Sequence, residues 1–356
     1  MKIAAYTIAK DEERHVGRWA KHLKEADGLF VLDTGSADRT VQALLDNDVV
    51  VYQATYNPWR FDKPRQDLLD QIPIDYDLCM SIDMDEYLSP GWRQHIESVW
   101  TSEINRLWYS YVHKAENKFW ANKFHGRHSH YWKYPVHETV EPYTTDNYAT
   151  ATEVILNHWP DDTKSRSSYL PLLKIAVDEN PESEEHWLWY VNELLTQKSD
   201  DVDYCEYLVR QYIEGGPIVS PRYRYSMCSW LGSIMNDPDR QLYWYMRSAH
   251  EDPSARDAYW ALAMYWYERD DNKRASIVAE NALAKTERVY SSIHQPKAWN
   301  GDFEWLAAIA HQKLGNEERS LHWYREGTKL HPEHDELKKD YVGYLKSIKN
   351  PTTHRE

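Results

Sequence analysis

The feature that most constrains this 356-residue chain is a change of hydrophobic pattern near residue 160. Before that point, short runs rich in β-branched and aromatic residues alternate with stretches of helical spacing, and after it only helical spacing recurs. Regular alternation of strands and helices favours right-handed crossovers and a mainly parallel sheet. Because the length allows two domains, we predict an α/β domain over 1–162 and an all-α domain over 163–350.

Acidic clusters follow several of the predicted strands. Ligands of open α/β sheets bind beyond the carboxyl ends of the strands, and the acids at Asp11, Glu12, Asp33 and 83–86 fall at those ends. We therefore expect the ligand site at this edge of the sheet. The predicted strands are 2–8, 28–32, 49–52 and 78–82, and the predicted helices between them are 12–25, 37–45 and 65–69.

A repeat organises the second half of the chain. Pro181, Pro217 and Pro253 follow one another at intervals of 36 residues. The last unit, 303–332, resembles a tetratricopeptide repeat, in which stacked helix pairs bury their aromatic faces against one another. We predict about four or five such pairs, with their aromatic residues in the core, and expect this domain to support a homodimer or to recruit an acceptor.

The charge balance and the apolar runs exclude several classes of protein. Lys and Arg number 42 against 57 Asp and Glu, a net charge of −15, which disfavours binding of polyanions over the whole surface. No apolar run approaches the roughly 20 residues of a membrane span, and the N-terminus reads straight into a strand without a secretory signal pattern. We expect a cytoplasmic protein without a membrane span.

Two carboxylates separated by one residue directly follow the fourth predicted strand. A turn there can aim Asp83 and Asp85 at one divalent cation, such as Mn²⁺ or Mg²⁺, that holds a diphosphate. The alternative is that both acids are ordinary loop residues or helix caps. The pair alone does not decide between these interpretations.

Three motifs together resemble one family. The segments 7–13, 31–40 and 81–86, in this order and spacing, are similar to those of family 2 glycosyltransferases of the GT-A fold. In that family the second strand typically ends in Asp-x-Gly-Ser-x-Asp-x-Thr, as it does here. The resemblance covers about residues 1–160, and Thr34 departs from it, because many members have a second acid there.

This resemblance implies a Rossmann-like sheet that binds a nucleotide-sugar, with a UDP-sugar as the first candidate. It implies that Thr7 and Glu12 lie near the nucleoside and that Asp33 lies at the base. It further implies that Asp83 contacts the ribose and the metal, and that Asp85 contacts the metal.

Three further residues are candidates for the same site. Arg65 can grip a phosphate or ribose through parallel donors, or simply begin a solvated helix. Glu138 is the candidate general base for an inverting transfer, as the His-Glu pair of related transferases implies, with Glu141 as the next candidate. His158 either completes the metal site, donates to the diphosphate or is structural.

The segment 108–132 reverses the acidic charge of the chain. Cations and aromatic rings together can form a cradle for an acceptor, since rings stack on sugars or bases and cations meet phosphates. The alternative is an active-site loop that covers the diphosphate. Its basic residues include Lys114, Lys118, Lys123, Arg127, His125, His128 and His130 against the single acid Glu116, and its tryptophans include Trp108, Trp120 and Trp132.

The leading hypothesis is a metal-dependent, inverting glycosyltransferase. Its acceptor would be a hydroxyl or thiol group of a protein, a glycan or a modified nucleic acid. One alternative is transfer to a hydroxylated DNA base, which would use the basic segment. Another is a non-catalytic repeat scaffold with a degenerate sugar-nucleotide domain, although intact acids at Asp83, Asp85 and Glu138 favour the enzyme.

Overall fold

The computed structural model describes residues 1–113, 117–159, 169–197, 200–288 and 295–349. The chain divides into two compact units, Met1–Ala176 and Val177–Glu356. The domain boundary predicted between 162 and 163 lies outside the described residues. An α/β unit followed by a helical unit agrees with the predicted order of the two fold classes.

The N-terminal unit is built on an eight-stranded sheet and a two-stranded sheet, with helices between the first strands. Its strands are β1 (Ile3–Ala9), β2 (Gly28–Asp33), β3 (Val50–Gln53), β4 (Leu78–Ser81), β5 (Glu86–Leu88), β6 (Arg106–His113), β7 (Asn117–Gly126), β8 (His130–Lys133), β9 (Thr139–Pro142) and β10 (Tyr148–His158). Its helices are α1 (Glu13–His22), α2 (Thr40–Leu45), α3 (Asp62–Gln71) and α4 (Trp92–Val99), and α5 (Leu170–Glu179) contains the division between the units.

The large sheet is mixed rather than mainly parallel. Its strand order is β3-β2-β1-β4-β7-β6-β10-β5. Strands β1 to β4 pair in parallel, as predicted, and every predicted strand and helix up to β4 begins and ends within three residues of its predicted ends. Beyond β4, however, β7 is antiparallel to both neighbours, and β10 is parallel to β6 but antiparallel to β5.

The prediction of a mainly parallel sheet is wrong for the second half of the unit because the connections change there. Only three residues separate β6 from β7, and strands joined by so short a connection pair antiparallel. One interpretation of the segment 108–132 was an active-site loop. In its described part it consists instead of these strands, a turn at 127–129 and the start of β8.

The sheet separates two hydrophobic layers. On one face, Trp19 of α1 and Trp92 of α4 pack against Met80, and all three are buried. On the other face, Leu68 of α3 packs with Tyr6 and Trp132. With a hydrophobic layer on each face, the sheet fixes the carboxyl ends of β1 and β4 between them.

The C-terminal unit consists of helix pairs. In the described part of this unit, eight helices form four pairs whose members follow one another directly in the chain, and a ninth helix comes after the last pair. This agrees with the predicted tetratricopeptide-like array. Short 3₁₀ helices lie at Arg256–Tyr259 and Pro296–Ala298. The helices are α6 (Glu184–Gln197), α7 (Val202–Ile213), α8 (Pro221–Ile234), α9 (Pro238–Glu251), α10 (Trp260–Glu268), α11 (Asn272–Leu283), α12 (Asp302–Lys313), α13 (Glu317–Leu330) and α14 (Asp335–Lys349).

The second helix of every pair begins at a side-chain cap. Asp201, Asp237, Asp271 and Asn316 each accept a hydrogen bond from a backbone N–H in the first turn of α7, α9, α11 and α13. Such caps stabilise a helix by about 1 kcal/mol each. This repeating acid or amide is a sequence signal of the array that the proline spacing does not use.

We predict that a fragment from Tyr169 onward folds independently. Its hydrophobic clusters, around Trp244, Phe303 and Tyr324, are formed by residues of the helical unit alone. Because each helix pair buries its apolar face against the next, the fragment should give a helical circular dichroism spectrum and a cooperative melting transition. A disordered fragment would contradict the expectation.

In the described part of the chain, no helix combines the length and the apolar character needed to cross a membrane.

Candidate active site

The candidate site lies at the carboxyl ends of β1 and β4. Thr7, near the end of β1, is fully buried, and its hydroxyl donates to Oδ1 of Asp83 over 3.1 Å. Asp83 follows β4 by two residues. These neighbouring strands therefore bring two of the predicted nucleotide-sugar residues together.

A third predicted residue, Arg65 of α3, joins them from one face of the sheet. Its Nη2 donates to Oδ1 of Asp83 over 2.8 Å, its Nε to Oε1 of Glu138 over 2.8 Å and its Nη1 to Oγ of Ser81 over 3.2 Å. Only 4% of the residue is exposed. The candidate base and the acid that follows β4 thus share one buried guanidinium.

The charges of this group stabilise one another. Burial opposes the charge on Arg65, but Asp83 and Glu138 outweigh it and raise the pKa of the guanidinium. Burial likewise opposes ionisation of Asp83, and Arg65 outweighs it, so that the pKa of Asp83 is held well below its usual range. Both partners are therefore charged at neutral pH.

A second cation approaches the candidate base from β7. Lys123 Nζ lies 3.8 Å from Oε1 of Glu138, whose side chain is 11% exposed. The register between β6 and β7 shifts opposite Trp108, at residues 122 and 123. Irregularities of this kind re-aim side chains next to active sites, and here one accompanies the approach of Lys123 to Glu138.

The backbone that leads to Glu138 is strained. Tyr134 has a φ of 78° and His137 a φ of 50°, in a region that residues other than glycine rarely adopt. Strain of this kind persists where surrounding contacts over-determine the conformation, and it clusters at active sites. The segment that carries the candidate base thus has a feature common in functional sites.

The predicted metal ligands Asp85 and His158 lie side by side. Nε2 of His158 is 3.0 Å from Oδ2 of Asp85, and Nδ1 of His158 is 2.9 Å from Nδ1 of His113. Burial lowers the pKa of His158, but the bond to Asp85 outweighs it, and the net pKa is raised. An imidazole and a carboxylate thus meet at the end of β10.

A divalent ion at this place would take few ligands from the protein. The described residues contain no group of three or more His, Cys, Asp or Glu side chains placed to hold a metal. Mg²⁺ is commonly bound by one or two carboxylates, with substrate phosphates and water completing the shell. Asp85 supplies one such carboxylate. One oxygen of Asp83 is already engaged by Arg65 and Thr7, and His158 would have to exchange its bond to Asp85 or to His113 for the metal.

Glu86 is a buried carboxyl of the site to which the sequence assigned no role. Its Oε2 accepts the backbone N–H of Asp83 over 2.8 Å, and its Oε1 accepts the hydroxyl of Tyr111 over 2.9 Å. Burial, followed by the nearby Asp83, raises the pKa of Glu86 to about 7. Glu86 therefore fixes the turn between Asp83 and Asp85, and the signal for it was its place directly after the acid pair.

The loops after β1 and β2 interlock. The N–H of Asp11 donates to Oγ of Ser36 over 2.9 Å, and its Oδ1 accepts the N–H of Ala37 over 2.7 Å. One residue on, the N–H of Glu12 donates to Oγ1 of Thr40 over 2.7 Å. Two of the motifs on which the family resemblance rests therefore fold as one unit.

Asp33 closes its own turn in this unit. Its carboxylate accepts the N–H of Gly35 and of Ser36 over 3.2 Å each, and the residue is 1% exposed. Gly35 has a φ of 105°, which this turn requires and which glycine adopts without strain. The roles of Asp33 at the base and of Glu12 near the nucleoside stay predictions.

Most described basic residues of the segment 108–132 serve the protein itself. Arg127 donates to the backbone carbonyls of Ile72 and Asp70, and His128 contacts the carbonyl of Ile74. The side chains of His125 and His130 are buried. Among the basic residues of this segment with described contacts, only Lys123 reaches the candidate base, and Lys114 and Glu116 lie outside the described residues.

Comparison with protein-family models and with curated proteins finds no match. Among solved structures, the chain is similar to a thermophilic tetratricopeptide-repeat protein of Thermus thermophilus, with 16% identity over 49% of this chain and 88% of that one and a TM-score of 0.33. It is also similar to glucosyl-3-phosphoglycerate synthase from Mycobacterium tuberculosis in complex with phosphoglyceric acid, with 18% identity over 31% of this chain and 44% of that one and a TM-score of 0.26. Likenesses at these scores carry no argument about function.

Proposed function

We propose that the N-terminal unit is a metal-dependent, inverting glycosyltransferase that takes its sugar from a nucleotide-sugar, in the first instance a UDP-sugar. One observation carries the proposal: Thr7, Arg65, Asp83 and Glu138 come from four separate parts of the chain and meet at the carboxyl ends of β1 and β4. Ligands of α/β sheets bind at that edge. The three motifs that resemble family 2 glycosyltransferases surround the same edge.

In this proposal Glu138 acts on the acceptor, and Asp83 and Asp85 act on the nucleotide-sugar donor. Glu138 accepts the proton of the acceptor hydroxyl or thiol as that group attacks the anomeric carbon. The bond from that carbon to the diphosphate oxygen breaks, the nucleoside diphosphate leaves from the opposite face, and Asp83 binds its ribose. Asp85 and His158 would hold Mn²⁺ or Mg²⁺, and the ion would neutralise charge on the diphosphate. Lys123 lies beside the base, with its Nζ 3.8 Å from Oε1 of Glu138.

The helical unit is proposed to recruit the acceptor or to form a homodimer. Stacked helix pairs form extended surfaces suited to partner recognition. The acceptor is a protein, a glycan or a modified nucleic acid. Transfer to a hydroxylated DNA base receives less support than the sequence suggested, because Arg127 and His128 are bonded to backbone carbonyls of the unit itself.

A non-catalytic scaffold is the competing proposal. A domain kept only for binding needs no proton acceptor, whereas a carboxylate is present at Glu138 and is held by Arg65 next to Asp83. The features of the candidate site therefore favour the enzyme.

A donor panel tests the proposal. The protein is incubated with radiolabelled UDP-, GDP- and dTDP-sugars, with Mn²⁺ or with EDTA, in the presence of a cell lysate as acceptor source. We expect one nucleotide class to be consumed in Mn²⁺ only, with label passing to water or to an acceptor. If no donor is consumed under either condition, the scaffold is the better account.

A further inference from the structure

Arg65 has its contacts inside the protein. Its Nε, Nη1 and Nη2 donate to Glu138, Ser81 and Asp83 respectively. At 4% exposure, the side chain has almost no surface to offer a ligand. This arrangement differs from the one expected of a residue that grips a phosphate, which must present its donors toward the ligand.

The guanidinium of Arg65 also packs against an aromatic ring. Its central carbon lies 5.1 Å from the centre of the Trp132 ring, within the range of a cation–π contact. The indole N–H of Trp132 donates to the hydroxyl oxygen of Tyr6 over 2.8 Å, and Tyr6 is 2.8 Å from Nε2 of His125. Beneath Arg65 there is therefore a chain of buried polar groups.

The contact between His125 and the backbone of Gly126, at the end of this series of polar groups, determines the direction of every hydrogen bond in the series. Nδ1 of His125 is 3.0 Å from the carbonyl oxygen of Gly126, which only accepts, so Nδ1 carries the proton and Nε2 accepts from Tyr6. Burial lowers the pKa of His125 to about 3, which keeps the ring neutral. Each hydrogen bond in the series therefore has a fixed donor and a fixed acceptor, and the series holds the Trp132 ring in one orientation.

We propose that Arg65 is a positioning residue that couples the candidate base Glu138 to the nucleotide-binding acid Asp83, rather than a contact to the diphosphate. The proposal rests on the proposed function of the same site. Two carboxylates on segments that are distant in sequence share one planar group, and a guanidinium can engage both at once because its donors diverge at fixed angles. A displacement of either acid is thereby transmitted to the other.

The contact with Arg65 also determines which carboxylate oxygen of Glu138 can accept a proton. Among the described residues, both the contact of Arg65 and the approach of Lys123 fall on Oε1 of Glu138. Oε2 is thus the oxygen that remains to take the acceptor proton. Fixing Oε1 fixes the position of Oε2, and a misplacement of about 1 Å at a reacting group can cost about 10²-fold in rate.

The test replaces Arg65 with lysine, which keeps the charge but cannot direct three donors along fixed directions. We expect Arg65→Lys to lower kcat by about 10²-fold while the KM for the nucleotide-sugar stays within about threefold. Arg256→Lys in the helical unit is the matched control, because Arg256 is likewise buried, donates to the buried Glu304 over 3.0 Å and lies 4.8 Å from the centre of the Trp299 ring. It should lose stability to a similar extent and keep its turnover.

A double variant separates positioning from structure. If Arg65 acts through Glu138, combining Arg65→Lys with Glu138→Gln should give about the same kcat as Glu138→Gln alone, since residues that act as a unit are not additive. If the losses of the two substitutions multiply, or if Arg65→Lys keeps the same kcat as Arg256→Lys, the inference about Arg65 is wrong, although the proposed function still stands. A large rise in KM with unchanged kcat would return Arg65 to the role of a ligand contact. A wild-type protein that consumes no donor would overturn the proposed function, and with it any role for Glu138 as a base.

Discussion

Glu138→Gln should abolish transfer while leaving nucleotide binding intact. We expect kcat to fall by about 10²-fold or more, the usual contribution of a general base. The substitution is well matched to this site, because the amide oxygen of Gln can still accept the Nε–H of Arg65, now 2.8 Å from Oε1. The variant therefore removes basicity and largely preserves shape.

Nucleotide affinity distinguishes the loss of a base from the loss of a fold. Because the base acts only when the acceptor attacks, calorimetry should give a Kd for UDP within a few-fold of wild type. Glu141→Gln is the control: Glu141 is three residues on, and its carboxylate accepts the hydroxyl of Thr139 over 2.8 Å. If Glu138→Gln keeps more than about a tenth of wild-type turnover, the proton acceptor lies elsewhere, and Glu141 is the next candidate.

Asp85→Ala should remove both metal-supported turnover and metal-dependent nucleotide binding. A bound divalent ion supplies several kcal/mol of charge stabilisation, so we expect kcat/KM to fall by about 10²-fold or more. The fold should persist, because the Asp85 side chain is 28% exposed and the substitution removes only its contact with the partly buried His158 among those described. The melting temperature of the unliganded protein should change little.

A second Asp–His pair in the chain provides the control for this variant. Asp302 and His334 in the helical unit lie 2.8 Å apart, with side chains as buried as those of Asp85 and His158 or more so. Asp302→Ala removes the same kind of bond but should leave sugar transfer unchanged. Wild-type turnover of Asp85→Ala at micromolar Mn²⁺ would show that Asp85 does not hold the ion.

Local patterns were sufficient to place the first four strands and the polar clusters that follow them. The alternation of apolar runs and helical stretches is a short-range property, and the loops at Asp11 and Asp33 begin where the strands end. The helical array was predictable for the same reason, because prolines recur in the sequence at intervals of 36 residues. In each case the signal lies within one or two elements.

The contacts that define the candidate site lie far apart in sequence. Arg65 and Glu138 are 73 residues apart, as are Asp85 and His158. No periodicity predicts that Arg65 binds two acids instead of facing a phosphate. The acceptor cradle predicted from the basic segment 108–132 is weakened for a related reason. Charge counted along the sequence does not reveal that His125 is buried and that Arg127 donates to backbone carbonyls.

Binding of a nucleoside diphosphate tests the central claim most directly, because it needs neither the donor sugar nor the acceptor to be known. Melting curves are measured with UDP, GDP and dTDP, in Mn²⁺ and in EDTA, for the wild type and Asp85→Ala. The negative charges of a diphosphate and those of Asp83 and Asp85 repel one another unless a cation intervenes. At about 100-fold excess over Kd, we expect one nucleotide to raise the wild-type melting temperature by about 5 °C or more in Mn²⁺. We expect little change in EDTA or in Asp85→Ala. Equal shifts in Mn²⁺ and EDTA, or no shift with any nucleotide, would contradict a metal-bridged diphosphate site.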